Sequence, residues 1–257
     1  MKYSTKQINK VSFIEADNER GLKVVFSPIG ASVYSITFNG KLITKVPEKE
    51  SDFFSPNYKQ GKTIGPIIGK VKEGKLLVGD KVIQLEKNDG DDNIDGTDYR
   101  LNACLFQSNP VMDKTLFSII YMFNKKKGKD LLPGNISYYI SYSFSNNSND
   151  FLVDYRALSD ELTPMSMSNF LTFNLEGNVS VKNGLSDLEN SYNVLNGKVV
   201  LENEEIKIEM APNGYSGIYA ENNNGLTLSF RDDEEHHNLI KEKELYHRAV
   251  LYKFSNK

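Results

Sequence analysis

The chain has 257 residues, 39% of them hydrophobic and 25% charged, with a formal net charge of −3, which supplies a sizeable core and excludes a disordered polymer. Its 31 basic residues nearly balance 34 acidic ones and are scattered, so the basic footprint that a phosphate backbone requires is missing and nucleic acid is excluded as a partner. Residues 1–7 lack an apolar signal core, and no apolar run nears the roughly 20 residues of a membrane-spanning helix, which predicts a cytoplasmic chain without membrane association.

Taken in order, the predicted elements are strands. Tyr34, Ile36 and Phe38 alternate with polar neighbours and reach Asn39-Gly40 before Leu42-Ile43, the setting of a type I′ hairpin turn. Similar hairpins are predicted around Gly79-Asp80 and Asn224-Gly225. Cys104 is the only cysteine, which excludes an intrachain disulfide or a thiolate metal cluster and reads as a buried small hydrophobe. Tyr138, Ile140, Tyr142 and Phe144 form one apolar strand face against Tyr139, Ser141 and Ser143 on the other. The polar turn NNSND at 146–150 then leads into Phe151-Leu152-Val153.

No stretch of 12 or more residues carries an i, i+3, i+4, i+7 apolar stripe, so helices are expected to be few and short. The period-two pattern instead predicts an all-β antiparallel sandwich, and no linker interrupts it, so residues 1–257 read as a single domain. Dimerisation through an exposed edge strand is open to such a sandwich, and the sequence does not choose between monomer and homodimer.

Two acidic clusters invite a metal reading. DDNIDG at 91–96 matches the first half of an EF-hand loop, but position 12 is Asn102 and the bidentate carboxylate is missing, so a polar turn is the better account. The run DDEEHH at 232–237 reads as a solvated charged loop, because adjacent side chains do not all converge on one ion. No metal or other cofactor is implied.

Several segments, in order along the chain, resemble landmarks of the aldose 1-epimerase (galactose mutarotase-like) family. GPIIGKV at 65–71, with GKL at 74–76 and VIQL at 82–85, is similar to the family's "GRVANRI…G.F.L.G..Y.L". KNDGDDNIDG at 87–96 stands where the family has "N.G.N.LHGG", and LPGNI at 132–136 resembles "FPG.L". Thr163-Pro164 through NFLTFNLEG at 169–177 is close to "TPVNLTNHTYFNLxG". KELY at 243–246, continuing to Tyr252-Lys253-Phe254, resembles the closing "PGExY…Y.F".

The resemblance implies a large antiparallel β-sandwich that acts on a hexose. Mutarotation needs a base at the anomeric hydroxyl and an acid at the ring oxygen. Carried over residue by residue, Glu244 matches the base, whereas Phe170 replaces the acid histidine and Asp95 replaces the second histidine. Asp95 is then the candidate substitute acid. The family's arginine has no counterpart, and Lys70 or Lys72 supplies only a point charge in place of the guanidinium fork. Tyr99, Phe170 and Phe173 are candidate sugar-stacking aromatics, and Tyr246, two residues after Glu244, is expected to share its strand face and line the site. His247, at an odd offset, points the other way on that reasoning. Two readings stay open: an aldose 1-epimerase-type isomerase with a rearranged acid, and a non-catalytic sugar-binding or regulatory module.

Overall fold

The computed structural model describes residues 1–96, 100–177, 179–182, 191–222, 225–232 and 237–257. Three antiparallel sheets carry most of it. The first is a meander of Lys2–Ile8, Val11–Asp17, Leu22–Ser27, Ser32–Phe38 and Lys41–Leu42. The second has eight strands in the order Gln107–Met112, Leu116–Lys125, Ile136–Ser145, Asp150–Ser159, Tyr246–Asn256, Ile206–Asn213, Val199–Glu202 and Ser180–Lys182. The third orders Leu171–Phe173, Leu226–Arg231, Gly217–Asn222 and Ser191–Val194. Helical structure among the described residues is limited to the 3₁₀ turns Glu50–Phe54, Lys72–Gly74 and Leu101–Ala103. No helix of the described residues is long and apolar enough to cross a membrane.

The sheets form because each strand presents one apolar face, and those faces meet in one contiguous core. Tyr138, Ile140, Tyr142 and Phe144 are buried as the alternation predicts, opposite Phe26, Val24 and Ile36 of the five-stranded sheet. Phe26 packs on Tyr142 with ring centroids 5.2 Å apart, and Tyr142 stacks on Phe151 at 5.8 Å and 3°. Leu171, Phe173, Leu228 and Phe230 bring the four-stranded sheet into the same core. Residues from both ends of the chain meet there, since the closing strand Tyr246–Asn256 lies between Asp150–Ser159 and Ile206–Asn213 at the centre of the large sheet.

The turns follow local chemistry. Asn39 and Gly40 both have positive φ, 49° and 81°, and Phe38 pairs with Lys41, as a type I′ turn requires. Gly79 likewise has φ of 59° between the paired Val78 and Lys81. The third predicted hairpin joins Asn222 to its partner Leu226, while Asn224 lies outside the described residues. Cys104 is buried, which pushes its thiol up to about 12 and leaves it inert as a nucleophile.

Candidate functional site beside the Asn169 anchor

The site begins with Asn169, which joins two sheets. Its strand Ser168–Asn169 pairs with Thr63–Ile64, and two residues later Leu171–Phe173 enters the four-stranded sheet. The buried carboxamide is fully engaged. Its oxygen accepts from the Tyr155 hydroxyl, and its nitrogen donates to the Gly61 carbonyl and the Tyr142 hydroxyl, both at 3.1 Å. That anchor fixes the next residue, Phe170, whose amide donates to the Lys62 carbonyl at 3.1 Å and whose carbonyl accepts from Gly61 at 2.8 Å. Gly61 is required here: its φ is +72°, and a Cβ would lie 2.0 Å from the Val33 carbonyl oxygen.

From that position the Phe170 ring stacks on Tyr219 of Gly217–Asn222, the next strand but one in the sheet, centroids 6.4 Å apart at 25°. The Arg231 guanidinium lies 4.2 Å from the centre of the same Tyr219 ring, a cation–π contact that stiffens the face. Burial raises the Tyr219 phenol above its ordinary range, with Glu221 and the charge of Asp95 acting in the same direction and Arg231 against them. Asp95 is therefore within electrostatic reach of this shelf.

Asp95 is aimed by its backbone, which has φ of +56°. Its neighbours are pinned by Asn93, whose side chain bonds both the Gly96 amide and the Gly96 carbonyl at 3.0 Å. The Asp95 carboxylate accepts from the Gly69 amide at 2.9 Å and is ion-paired with Lys59. Two donors on one carboxylate suit an orienting acceptor better than an acid with a proton to deliver. Next to the shelf, Arg231 also lines a shallow depression with Pro66, Ser166, Asp232, His237 and Asn238. Asp232 is committed to structure: Arg248 grips one oxygen with Nε and a terminal nitrogen, each at 2.7 Å, while Ser166 donates to the other at 2.8 Å.

Of the residues nominated from sequence, Phe170 stacks on Tyr219, and the charge of Asp95 contributes to raising the Tyr219 phenol. Four others have the following surroundings. Glu244 sits exposed in the tight turn before the last strand, beside Lys243 with φ of +61°, and its carboxylate accepts from the Lys241 amide at 2.9 Å. Tyr246 is 2% exposed and faces the core, its hydroxyl bonding Asp232 and the Met167 amide. The even-offset argument failed because the strand pleat begins only at Tyr246, so Glu244 has no strand face to share. Phe173 is a core residue, on the face of its strand opposite the one that meets Thr227. Lys70 is exposed and bridges Asp89 and Asp92 at 3.4 and 3.3 Å, while in the loop that resembled half an EF-hand Asp91 pairs with Lys87 and Asp95 with Lys59. Tyr99 lies outside the described residues, as do residues 233–236 of the charged run. His247 pairs with Asp154 at 2.6 Å on the large sheet.

Lys59, Tyr219 and Arg231 were missed, and His237 was read only as part of a charged loop. Of these, Arg231 alone carried a sequence signal, as a lone cation ending the apolar strand LTLSFR, which is buried throughout.

The comparisons with known proteins agree with this architecture. The family model described as "Aldose 1-epimerase" matches residues 12–250. Among solved structures, a galactose 1-epimerase from Lactobacillus acidophilus superposes with a TM-score of 0.88 at 17% identity, covering 99% of this chain and 98% of that one. A GalM/aldose epimerase homologue from C. elegans gives 0.83 at 16% identity over 96% and 99% of the two chains. A galactose mutarotase-like protein from Clostridium acetobutylicum gives 0.82 at 14% identity over 99% and 98%. At these identities the structures establish the fold alone, and no curated protein matches the sequence. The family model spans nearly the whole chain, from the second strand of the first sheet to the closing strand, and the chain belongs to the aldose 1-epimerase family.

Proposed function

We propose that this chain binds a hexose or hexose derivative on the shelf formed by Phe170 and Tyr219. The observation that carries the reading is convergence: the Phe170 and Tyr219 rings and the Arg231 guanidinium come from separate segments to one place, and the carboxylate of the Lys59–Asp95 pair is felt at the Tyr219 phenol. Aromatic faces suit the apolar C–H surface of a pyranose, and the charged pair offers a donor and an acceptor to its hydroxyls.

A sugar-binding or regulatory module is favoured over a mutarotase that uses Glu244 as its base. Phe170 has no proton to exchange, and the Glu244 carboxylate is held in an exposed turn by a backbone amide.

Calorimetric titration with galactose, glucose and their phosphorylated and N-acetylated forms tests the shelf, with Tyr219→Leu expected to weaken binding about tenfold or more. Equal affinity in that variant removes the shelf from the site. NMR anomeric exchange on the same sugars separates the two readings. Acceleration that disappears in Glu244→Gln overturns the binding-module reading, and no acceleration on any sugar that binds supports it.

A further inference from the structure

Lys62 belongs to no motif, yet it is the one lysine among the described residues that is wholly enclosed, at 0% exposure. Its ammonium lies 4.7 Å from the centre of the Phe53 ring and 5.6 Å from that of Tyr58, and it donates to the Ser55 carbonyl at 3.3 Å. These three partners belong to the 3₁₀ turn Glu50–Phe54 and the loop that follows it. Phe53 is in turn embedded among Phe13, Tyr34 and Phe54, so the ammonium is tied to a rigid aromatic cluster.

The backbone of Lys62 serves the opposite direction. Its carbonyl accepts the Phe170 amide, its amide closes a turn on the Lys59 carbonyl at 3.0 Å, and the preceding Gly61 amide bonds the Phe170 carbonyl. Between the two anchors lies Lys59, the residue that holds Asp95. A hydrophobic residue in place of Lys62 fills the same space without a buried charge, so stability alone gives no reason for a lysine here.

We infer that Lys62 is a positioning residue: its caged ammonium ties the 53–58 loop to the Phe170 strand and thereby sets where Lys59 meets Asp95 beside the shelf. The ligand part of this inference rests on the proposed sugar site; the structural part does not. No step of chemistry is assigned to the Lys62 amine, which is screened from ligand by the rings around it.

The test uses the full chain and its Lys62→Met and Lys62→Arg variants, read by thermal unfolding, amide hydrogen exchange and hexose titration. In Lys62→Met the melting temperature is expected to hold or rise. At the same time exchange at the backbone amides of Tyr58, Gly61, position 62 and Phe170 should accelerate at least tenfold, and affinity for the best-bound hexose should fall about fivefold or more. Lys62→Arg, which keeps the charge, should recover part of both. A purely structural role predicts instead that stability and binding fall together.

Unchanged exchange at those amides in Lys62→Met overturns the inference whatever the sugar result. Faster exchange together with a wild-type protein that binds no hexose removes the proposed function and leaves the positioning role standing. Should Lys62→Met fail to fold, Tyr58→Leu removes one ring of the cage from a half-buried position and is expected to accelerate the same amides two- to threefold; no acceleration there overturns the inference equally.

Discussion

Removing the Lys62 charge has a stability consequence whose size and sign follow from its surroundings. Burial pulls the ammonium down to about 8, against an ordinary 10.5, so below pH 8 the folded state holds a proton in an unfavourable place. That displacement corresponds to roughly 3 kcal/mol of differential stabilisation. Because the folded value is depressed, the unfolded chain binds more protons between about 8 and 10.5, and stability rises with pH through that window. Part of the penalty is offset by the two ring faces, on the order of 1 kcal/mol each. Lys62→Met is therefore expected to be more stable than the wild type by about 1–2 kcal/mol at pH 7, with the advantage vanishing by about pH 10. Urea unfolding at half-unit steps from pH 7 to 10 measures it. Burial raises the phenols of Tyr34 and Tyr58 above their ordinary range, so in the folded state they keep their protons through these steps and the difference between the two curves follows Lys62. A difference that stays constant across that range refutes the reasoning, because it means that the caged ammonium keeps its ordinary affinity for the proton.

Other side chains offer sharper single tests. Asp232→Ala leaves the Arg248 guanidinium and the Tyr246 hydroxyl without their shared acceptor and should cost about 3–5 kcal/mol in chemical denaturation, whereas Asp232→Asn should cost less than half of that. The Tyr121 hydroxyl is buried with no hydrogen-bond partner among the described residues, so Tyr121→Phe should be neutral or stabilising by up to about 1 kcal/mol in thermal unfolding. Glu244→Ala loses one exposed turn contact and should change stability by less than about 1 kcal/mol, with hexose affinity unchanged by calorimetry. Asn169→Ala strips three buried partners and should cost about 3 kcal/mol or more, with a lower denaturation midpoint.

The sequence by itself determined the strands, the hairpins and the family. Alternation in residues 138–144 and the Asn39-Gly40 turn are local, because a strand's two faces and a turn's positive φ are set by neighbours along the chain. The ordered motifs from residue 65 to 254 were equally legible. What only the tertiary structure decided is which side chains meet. Phe170, Tyr219 and Arg231 come together from separate segments, as do Lys59 and Asp95, and no local pattern encodes these pairings. Glu244 shows the same limit from the other side. Its motif was readable, but whether its carboxylate faced a sugar or a backbone amide turned on where the closing strand takes up its pleat, one residue beyond Leu245. Pleat and turn propensities act over a few residues, whereas a binding surface is made by packing, which ties together residues more than a hundred positions apart.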